Sequence, residues 1–188
     1  MTNGVFSEYE VREMGIKFKS GTEYQTANCV GSSEEEMESK VISKSCRGVV
    51  VKKTVKGTGT GTLSLSLHMP YAIYTQAYGM DMDSLIDGVK AYGQNSVHEG
   101  FAITQHVFDE DGVEMFKAYP NCIIESGKTA KTENGAEEVA EIELEISLMP
   151  DEHGHGMYQA LASELADETA KKTWMTAFTP EMVQVKSA

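Results

Sequence analysis

The chain has 188 residues, of which 40% are hydrophobic and 24% charged, and its formal net charge is −13. This size and composition are typical of one globular domain with its own hydrophobic core. An acidic protein repels nucleic acid and anionic membranes, and no apolar run reaches the roughly 18–20 residues that a membrane span needs. We therefore expect neither a general nucleic-acid binder nor a membrane protein. Residues 1–10 lack the basic and apolar regions of a secretory signal, which predicts synthesis in the cytoplasm.

The first third of the chain contains weak strand patterns over residues 10–19 and 22–30. Residues 32–38 are an acidic run, in which Ser33 and Glu36 match the spacing of a helix capping box. We interpret this run as a surface loop. Three widely spaced cysteines, Cys29, Cys46 and Cys122, do not suggest a disulfide framework.

Residues 39–80 contain no acidic side chain but six basic ones, which leaves a charge of −19 for the rest of the chain. The basic residues are Lys40, Lys44, Arg47, Lys52, Lys53 and Lys56. The β-rich residues 41–55 and the alternating residues 63–69 predict two long strands, joined by a flexible tip in the glycine-threonine run at 56–62. A nucleotide-binding loop would instead need a helix after this run. The segment is therefore predicted to be a projecting basic hairpin.

The middle of the chain predicts one helix and three further strands. Apolar residues at 82, 85, 86 and 89 have helical spacing, with Asp81 as a candidate cap. Residues 101–108 and 113–119 flank a turn signal and predict a hairpin, and residues 126–135 predict a surface loop. Residues 142–148 alternate strictly, so that Glu141, Glu143 and Glu145 share one solvated face.

After Pro150 we expect a polar loop over residues 151–156, a helix over 158–172 and an irregular arm. Trp174 and Phe178 are the candidate anchors of this arm, on its own core or on a neighbour.

Three groups of residues could in principle form a metal site or a catalytic site. None of the three is complete in the sequence. His153 and His155 could share a metal ion, but a zinc site needs three or four ligands. His98 or His106 could pair with Cys122, without any local signature to support it. The row of glutamates on a solvated strand offers no pocket that would shift a pKa. We therefore predict a protein that is not an enzyme and uses no cofactor, with a metal-dependent enzyme as the remote alternative.

The order of these elements, together with residues 157–166 and 174–182, resembles the major tail (tail tube) proteins of siphophages that infect Gram-positive bacteria. The resemblance covers nearly the whole chain. It implies a mainly β, α+β fold: a tail-tube-type β-sandwich with a flanking helix and a long projecting hairpin. It also implies a single domain over residues 1–188, whose C-terminal helix and arm begin near 150, without an added immunoglobulin-like domain.

The same resemblance implies a structural subunit that forms stacked hexameric rings, the conduit for DNA ejection in the virion tail. Its partners would be other copies of itself, a tape-measure protein and double-stranded DNA held without tight binding in the lumen, and tail terminator and distal tail proteins at the ends. Glu141, Glu143 and Glu145 are the lumen candidates. The inter-ring stacking hairpin would use Arg47, Lys52, Lys53, Lys56, Gly57, Gly59 and Gly61. A tube of a bacteriocin or secretion system, or a capsid decoration protein, remains an alternative.

Overall fold

The computed structural model describes residues 6–185 and contains one antiparallel sheet and two α-helices. The strands are Glu10–Phe18 (β1), Gln25–Thr26 (β2), Cys29–Cys46 (β3), Val49–His68 (β4), Phe101–Phe108 (β5), Glu114–Ile124 (β6), Ile142–Leu148 (β7) and Tyr158–Leu161 (β8). The helices are Tyr71–Ala77 (α1), Glu168–Ala177 (α2) and the short 3-10 helix Pro180–Val183. The mainly β class predicted from the sequence is confirmed. The prediction about an export signal in residues 1–10 falls partly outside the described residues.

The sheet has the order β2-β1-β5-β6-β7-β4-β3, and β8 adds to the free side of β6. Its two halves face each other as in a sandwich, because apolar side chains of β1 and β4 enter the same buried core. Ile16 of β1 and Leu65 of β4 are examples. Strand β6 joins the halves, since its first part pairs with β5 and β8 and its last three residues pair with β7.

The strictly alternating segments form strands where the sequence predicted them. Strand β7 buries Leu144, Ile146 and Leu148 and turns its glutamates to solvent. The β5–β6 hairpin closes at Asp109, whose carboxylate accepts hydrogen bonds from the backbone N–H groups of Asp111 (3.0 Å) and Val113 (2.7 Å). An alternating pattern fixes both the strand and its buried face, because a slip of one residue would expose the whole apolar set.

The helix predicted over residues 82–89 is wrong. This segment forms successive turns. The N–H of Leu85 donates a hydrogen bond to the carbonyl oxygen of Met82, and the N–H of Val89 donates one to that of Ile86. Gly88 has a left-handed φ of 87°, and Ile86 is 80% exposed. A helix whose apolar side chains stay exposed gains little free energy from packing. The left-handed turn at Gly88 and the exposure of Ile86 therefore outweigh the helical spacing. The helix of this region is α1, which starts directly after Pro70.

The helix predicted over residues 158–172 is only partly correct. Its first four residues form β8, which pairs with β6, and α2 begins ten residues later than predicted. Asp167 caps α2 and accepts hydrogen bonds from the N–H groups of Thr169 (2.8 Å) and Ala170 (3.1 Å). A short aromatic segment beside an open strand edge pairs with that edge, and the helix begins at the next capping side chain.

The loop predicted over residues 32–38 is also wrong, because this acidic run is part of β3. Glu34 and Glu36 point to solvent, whereas Glu35 is half-buried on the inner side. Pairing with β4 supplies the hydrogen bonds that make this polar segment a strand.

Candidate assembly surfaces

The outer parts of β3 and β4 form a hairpin that leaves the body of the sandwich. Nearly every residue from 40 to 56 is exposed on both faces. The turn lies at Arg47 and Gly48, with φ values of 50° and 78°, as a two-residue turn of the primed kind requires. The projecting hairpin predicted from the sequence is confirmed, but its tip is at Arg47 and Gly48 and not in the glycine-threonine run.

One face of this hairpin places like charges opposite each other. Lys40 is paired with Lys56, and Lys44 with Lys52, across the two strands. Such pairs destabilise a sheet, and a two-stranded hairpin is marginal in water. Within residues 6–185, no carboxylate lies within 4.0 Å of any of the six basic side chains of the hairpin. The described part of the chain thus provides no counter-charge for this surface.

Gly59 and Gly61, two of the glycines predicted to form a flexible tip, instead lie in a close-packed seam at the hairpin root, whereas Gly57 lies in open space. A Cβ atom on Gly59 would lie 2.7 Å from the carbonyl oxygen of Gly154, and one on Gly156 would lie 2.1 Å from that of Gly59. Gly61 likewise has no room for a side chain against the backbone of Glu36 (2.5 Å). Two backbones approach this closely only where no Cβ separates them. The interpretation as a flexible tip is therefore wrong.

The root also changes the direction of the hairpin. The pairing of β3 and β4 is interrupted between Met37 and Ser39, where three residues of β4 oppose one of β3. Thr60 fixes this bulge by donating a hydrogen bond to the carboxylate of Glu38 (2.7 Å). A bulge of this kind bends the strand that contains it. The hairpin beyond the root therefore runs in a different direction from the part of β4 within the sandwich.

The lumen candidates lie on the outer face of the half-sheet formed by β3, β4 and β7. Glu143 is paired with Ser66 and Glu145 with Ser64, and both glutamates are exposed. Glu141 lies at the end of the same face and accepts a hydrogen bond from the hydroxyl of Ser66 (2.5 Å). These pairings bring the three predicted glutamates together on one surface.

The sequence analysis missed two further glutamates of this surface. Glu34 pairs with Ser64 and Glu36 with Thr62, so that both side chains face the same side as the lumen candidates. None of the five glutamates has a basic group within 4.0 Å in the described part of the chain. The sequence signal for them was the alternation of side chains inside the acidic run at residues 32–38. The high charge of this run led to its interpretation as a loop. We call this surface of serine, threonine and glutamate the acidic face.

The opposite outer face, on β1, β5 and β6, is covered by α2. Trp174 is 1% exposed, stacks on Phe116 and donates a hydrogen bond from Nε1 to the carbonyl oxygen of Lys117 (3.1 Å). Phe178 is also buried and lies 4.8 Å from Trp174, ring centre to ring centre. Both predicted anchors thus pack on the chain's own sheet. Their role in holding the arm stays a prediction.

A buried ionic cluster links the N-terminal segment to β3. The ammonium group of Lys117, 4% exposed, lies 2.6 Å from Glu8 and 3.3 Å from Glu35. Tyr119 donates a second hydrogen bond to Glu35 (2.5 Å), and burial and the negative charge of Glu35 raise the pKa of Tyr119 well above its usual value. A buried charge needs such partners. The cluster ties together the two ends of the curved sheet, and no sequence pattern signalled it.

The constellations considered for chemistry are not assembled. Asp151 organises the histidine loop by accepting hydrogen bonds from the backbone N–H groups of His153 and His155, both at 2.9 Å. No group of three metal-ligating side chains occurs in residues 6–185. Cys122 is fully buried, burial raises the pKa of its thiol, and its Sγ donates to the carbonyl oxygen of Tyr119 (3.4 Å). It is therefore not available to His98 or His106 as a nucleophile.

No protein-family model matches this sequence, and neither does any curated protein. Among solved structures, the chain is similar to the cap that terminates the tube of the anti-feeding prophage, known from cryo-electron microscopy. The two share 11% sequence identity, and the match covers 86% of this chain and 99% of the cap protein, with a TM-score of 0.47. No helix of the described chain is both long and apolar enough to cross a membrane.

Proposed function

We propose that this chain is a structural subunit of a phage-type tail tube, built from stacked rings of six copies as in the siphophage proteins that its sequence resembles. The observation that supports this function best is the contrast between the two outer faces. One is covered by α2, whereas the other is a bare sheet of serine, threonine and glutamate that ends in a projecting basic hairpin. This contrast is what a tube subunit needs on its outer and inner sides.

The acidic face is suited to line a conduit for DNA. Duplex DNA carries one phosphate per roughly 1.7 Å of its axis, and a basic wall would bind it by releasing counterions. Serine, threonine and glutamate repel the phosphates weakly, and screening restricts this repulsion to about 8 Å at physiological salt. In the proposed ring, DNA and a tape-measure protein pass along this face without tight binding, and the tube is part of the virion tail.

Ring closure in this proposal uses the free edge of β3. Among the strands of residues 6–185 this strand pairs only with β4, so its other side is a free sheet edge within this range. A long free edge favours pairing with another chain. The hairpin then connects successive rings, and tail terminator and distal tail proteins close the two ends of the tube.

The test is assembly of the purified full chain, concentrated and observed by negative-stain electron microscopy. We expect tubes with a central channel, and we expect the double substitution Lys52→Glu and Lys53→Glu to prevent tube growth without lowering Tm. The matched control, Lys171→Glu with Lys172→Glu, makes the same change of charge on α2 and should still form tubes. Monomers or isolated small rings at all concentrations would overturn the proposed function. Normal tubes from the hairpin variant would overturn the stacking role of the hairpin.

A further inference from the structure

A groove with a volume of about 490 Å³ opens where β4 ends and α1 begins. Its apolar part is formed by Met69, Tyr71, Tyr74 and Ile142, and Glu141 and Glu143 stand on its rim. The ring of Tyr71 is 65% exposed and therefore accessible to a partner. An apolar floor with a charged rim is typical of a protein-binding groove.

The groove and the hairpin lie at opposite ends of the sandwich. Strand β4 leaves the hairpin root at Gly61, where it pairs with Leu148, and it reaches His68 just before the groove. At 3.3 Å per residue these two points are about 23 Å apart along the strand. The hairpin points away from the body, since nothing lies within 4 Å of a Cβ atom on Gly48 or Gly57.

The charges of the two ends are complementary. The hairpin contains six basic and no acidic residues, whereas the segment 125–145, of which residues 128–131 and 140–143 line the groove, contains seven glutamates and two lysines. Both lysines line the groove: Lys131 is paired with Glu133 (2.9 Å), and Lys128 lies over the ring of Tyr74 at 5.6 Å, a contact that leaves its charge in place. The rim glutamate Glu143 has no basic group within 4.0 Å in the described residues. The excess negative charge at this end is therefore open to an external cation.

The apolar surfaces are complementary as well. The hairpin face opposite the paired lysines contains Val41 paired with Val55, and Ser45 paired with Val50. These three valines are between 50% and 63% exposed. A partner that buried them would remove apolar surface from water, and each fully buried side chain of this size contributes about 1.5–3 kcal/mol. The same face contains Lys53, paired with Ser43, so it offers both apolar surface for the floor and a cation for the acidic rim.

We propose that the groove is the receptor for the hairpin of a second copy of this chain. The inference deepens the tube proposed above and rests on it, because it names the surface at which one ring holds the next. A contact between unlike surfaces at opposite ends of a subunit cannot close on itself in a pair of copies. It repeats along one axis and generates an open filament, which is the geometry of a growing tube.

The native cysteine at the hairpin tip provides a direct test. Cys46 is exposed next to the turn and Cys122 is buried, so that replacing the exposed Cys29 by serine leaves one reactive thiol, in the hairpin. In this background, Tyr71→Cys places a second thiol in the groove, and Lys172→Cys places one on α2 as the matched control. Assembled tubes are treated with a short bismaleimide cross-linker and separated on a denaturing gel.

We expect Tyr71→Cys tubes to give a ladder of dimers and higher multimers, because each copy is linked to the next from tip to groove. The Lys172→Cys tubes and the parent tubes should stay monomeric. Tubes of Tyr71→Cys without a ladder, or an equal ladder from Lys172→Cys, would show that the groove is not the receptor for the hairpin. The proposed tube function would not be affected by that result. Dimers alone would indicate a symmetric tip-to-tip contact and would also overturn it. If the parent forms no tubes, the proposed function fails, and this inference fails with it.

Discussion

The two outer faces of the sandwich use the same strand geometry for opposite purposes. On β5 and β6 the outward residues include Thr104 and Ala118, which are small, and α2 approaches closely enough for Thr104 to donate a hydrogen bond to the carbonyl oxygen of Met175 (3.1 Å). On β4 and β7 the outward residues are serines and glutamates, and no helix covers them. In this fold a helix packs on the sheet face whose outward residues are small or apolar. The face whose outward residues are charged remains in contact with water.

The difference also separates stability from assembly. The face under α2 contributes to the free energy of unfolding of the single chain, because its aromatic cluster is buried. The acidic face contributes little to that free energy, because exposed charges on a sheet interact weakly in water. Substitutions on the two faces should consequently have different effects on stability and on assembly.

The largest effect is expected for Trp174→Ala on the covered face. Removing a buried indole leaves a cavity and abolishes the hydrogen bond from Nε1 to the Lys117 carbonyl oxygen. We expect the free energy of unfolding, measured by urea denaturation, to fall by about 3–5 kcal/mol, with a lower tube yield as a consequence. The control Lys172→Ala, on the exposed side of the same helix, should change it by less than about 0.5 kcal/mol. A loss below 1 kcal/mol for Trp174→Ala would show that α2 is peripheral to the fold.

An intermediate effect is expected at the hairpin root, where the bare half-sheet meets the loop at residues 151–156. Gly59→Ala adds a Cβ atom 2.7 Å from the Gly154 carbonyl oxygen, at a φ of 78° that alanine rarely adopts. We expect a loss of about 1–3 kcal/mol in the free energy of unfolding. Gly57→Ala, two residues away in open space, should leave it within about 0.5 kcal/mol. Equal effects of the two substitutions would contradict the close-packed seam.

The smallest effect on stability is expected on the acidic face. Glu34→Lys with Glu145→Lys should keep Tm nearly unchanged, because both side chains are exposed. The same pair should make assembled tubes bind duplex DNA in a salt-dependent manner and slow DNA release from particles. Glu110→Lys with Asp111→Lys, in the exposed β5–β6 turn, makes the same change of charge elsewhere and should have neither effect. Normal DNA release from the first variant would place this face outside the lumen.

The strands with strict alternation and the separation of charge along the chain could both be predicted from the sequence. Strand β7 and the β5–β6 hairpin follow from side-chain periodicity, because a period of two leaves only one face that can be buried. The basic hairpin follows from a run of six cations without an acid, because such a segment is unstable in the interior of an acidic protein. Both properties depend on residues that are neighbours in sequence, so they can be inferred without knowing the fold.

For segments with ambiguous patterns, contacts made in the folded chain determine where they pack. The glycine-threonine run has the composition of a flexible tip, but contact with Gly154 and Gly156 makes it a rigid root. Ile86 and Val89 belong to a helical spacing, yet both side chains stay exposed in the folded chain. The acidic run became a strand because β4 pairs with it, and the resulting pairs assembled the acidic face from three separate parts of the chain. The physical reason is the same in each case: contacts between residues distant in sequence outweigh a weak local preference.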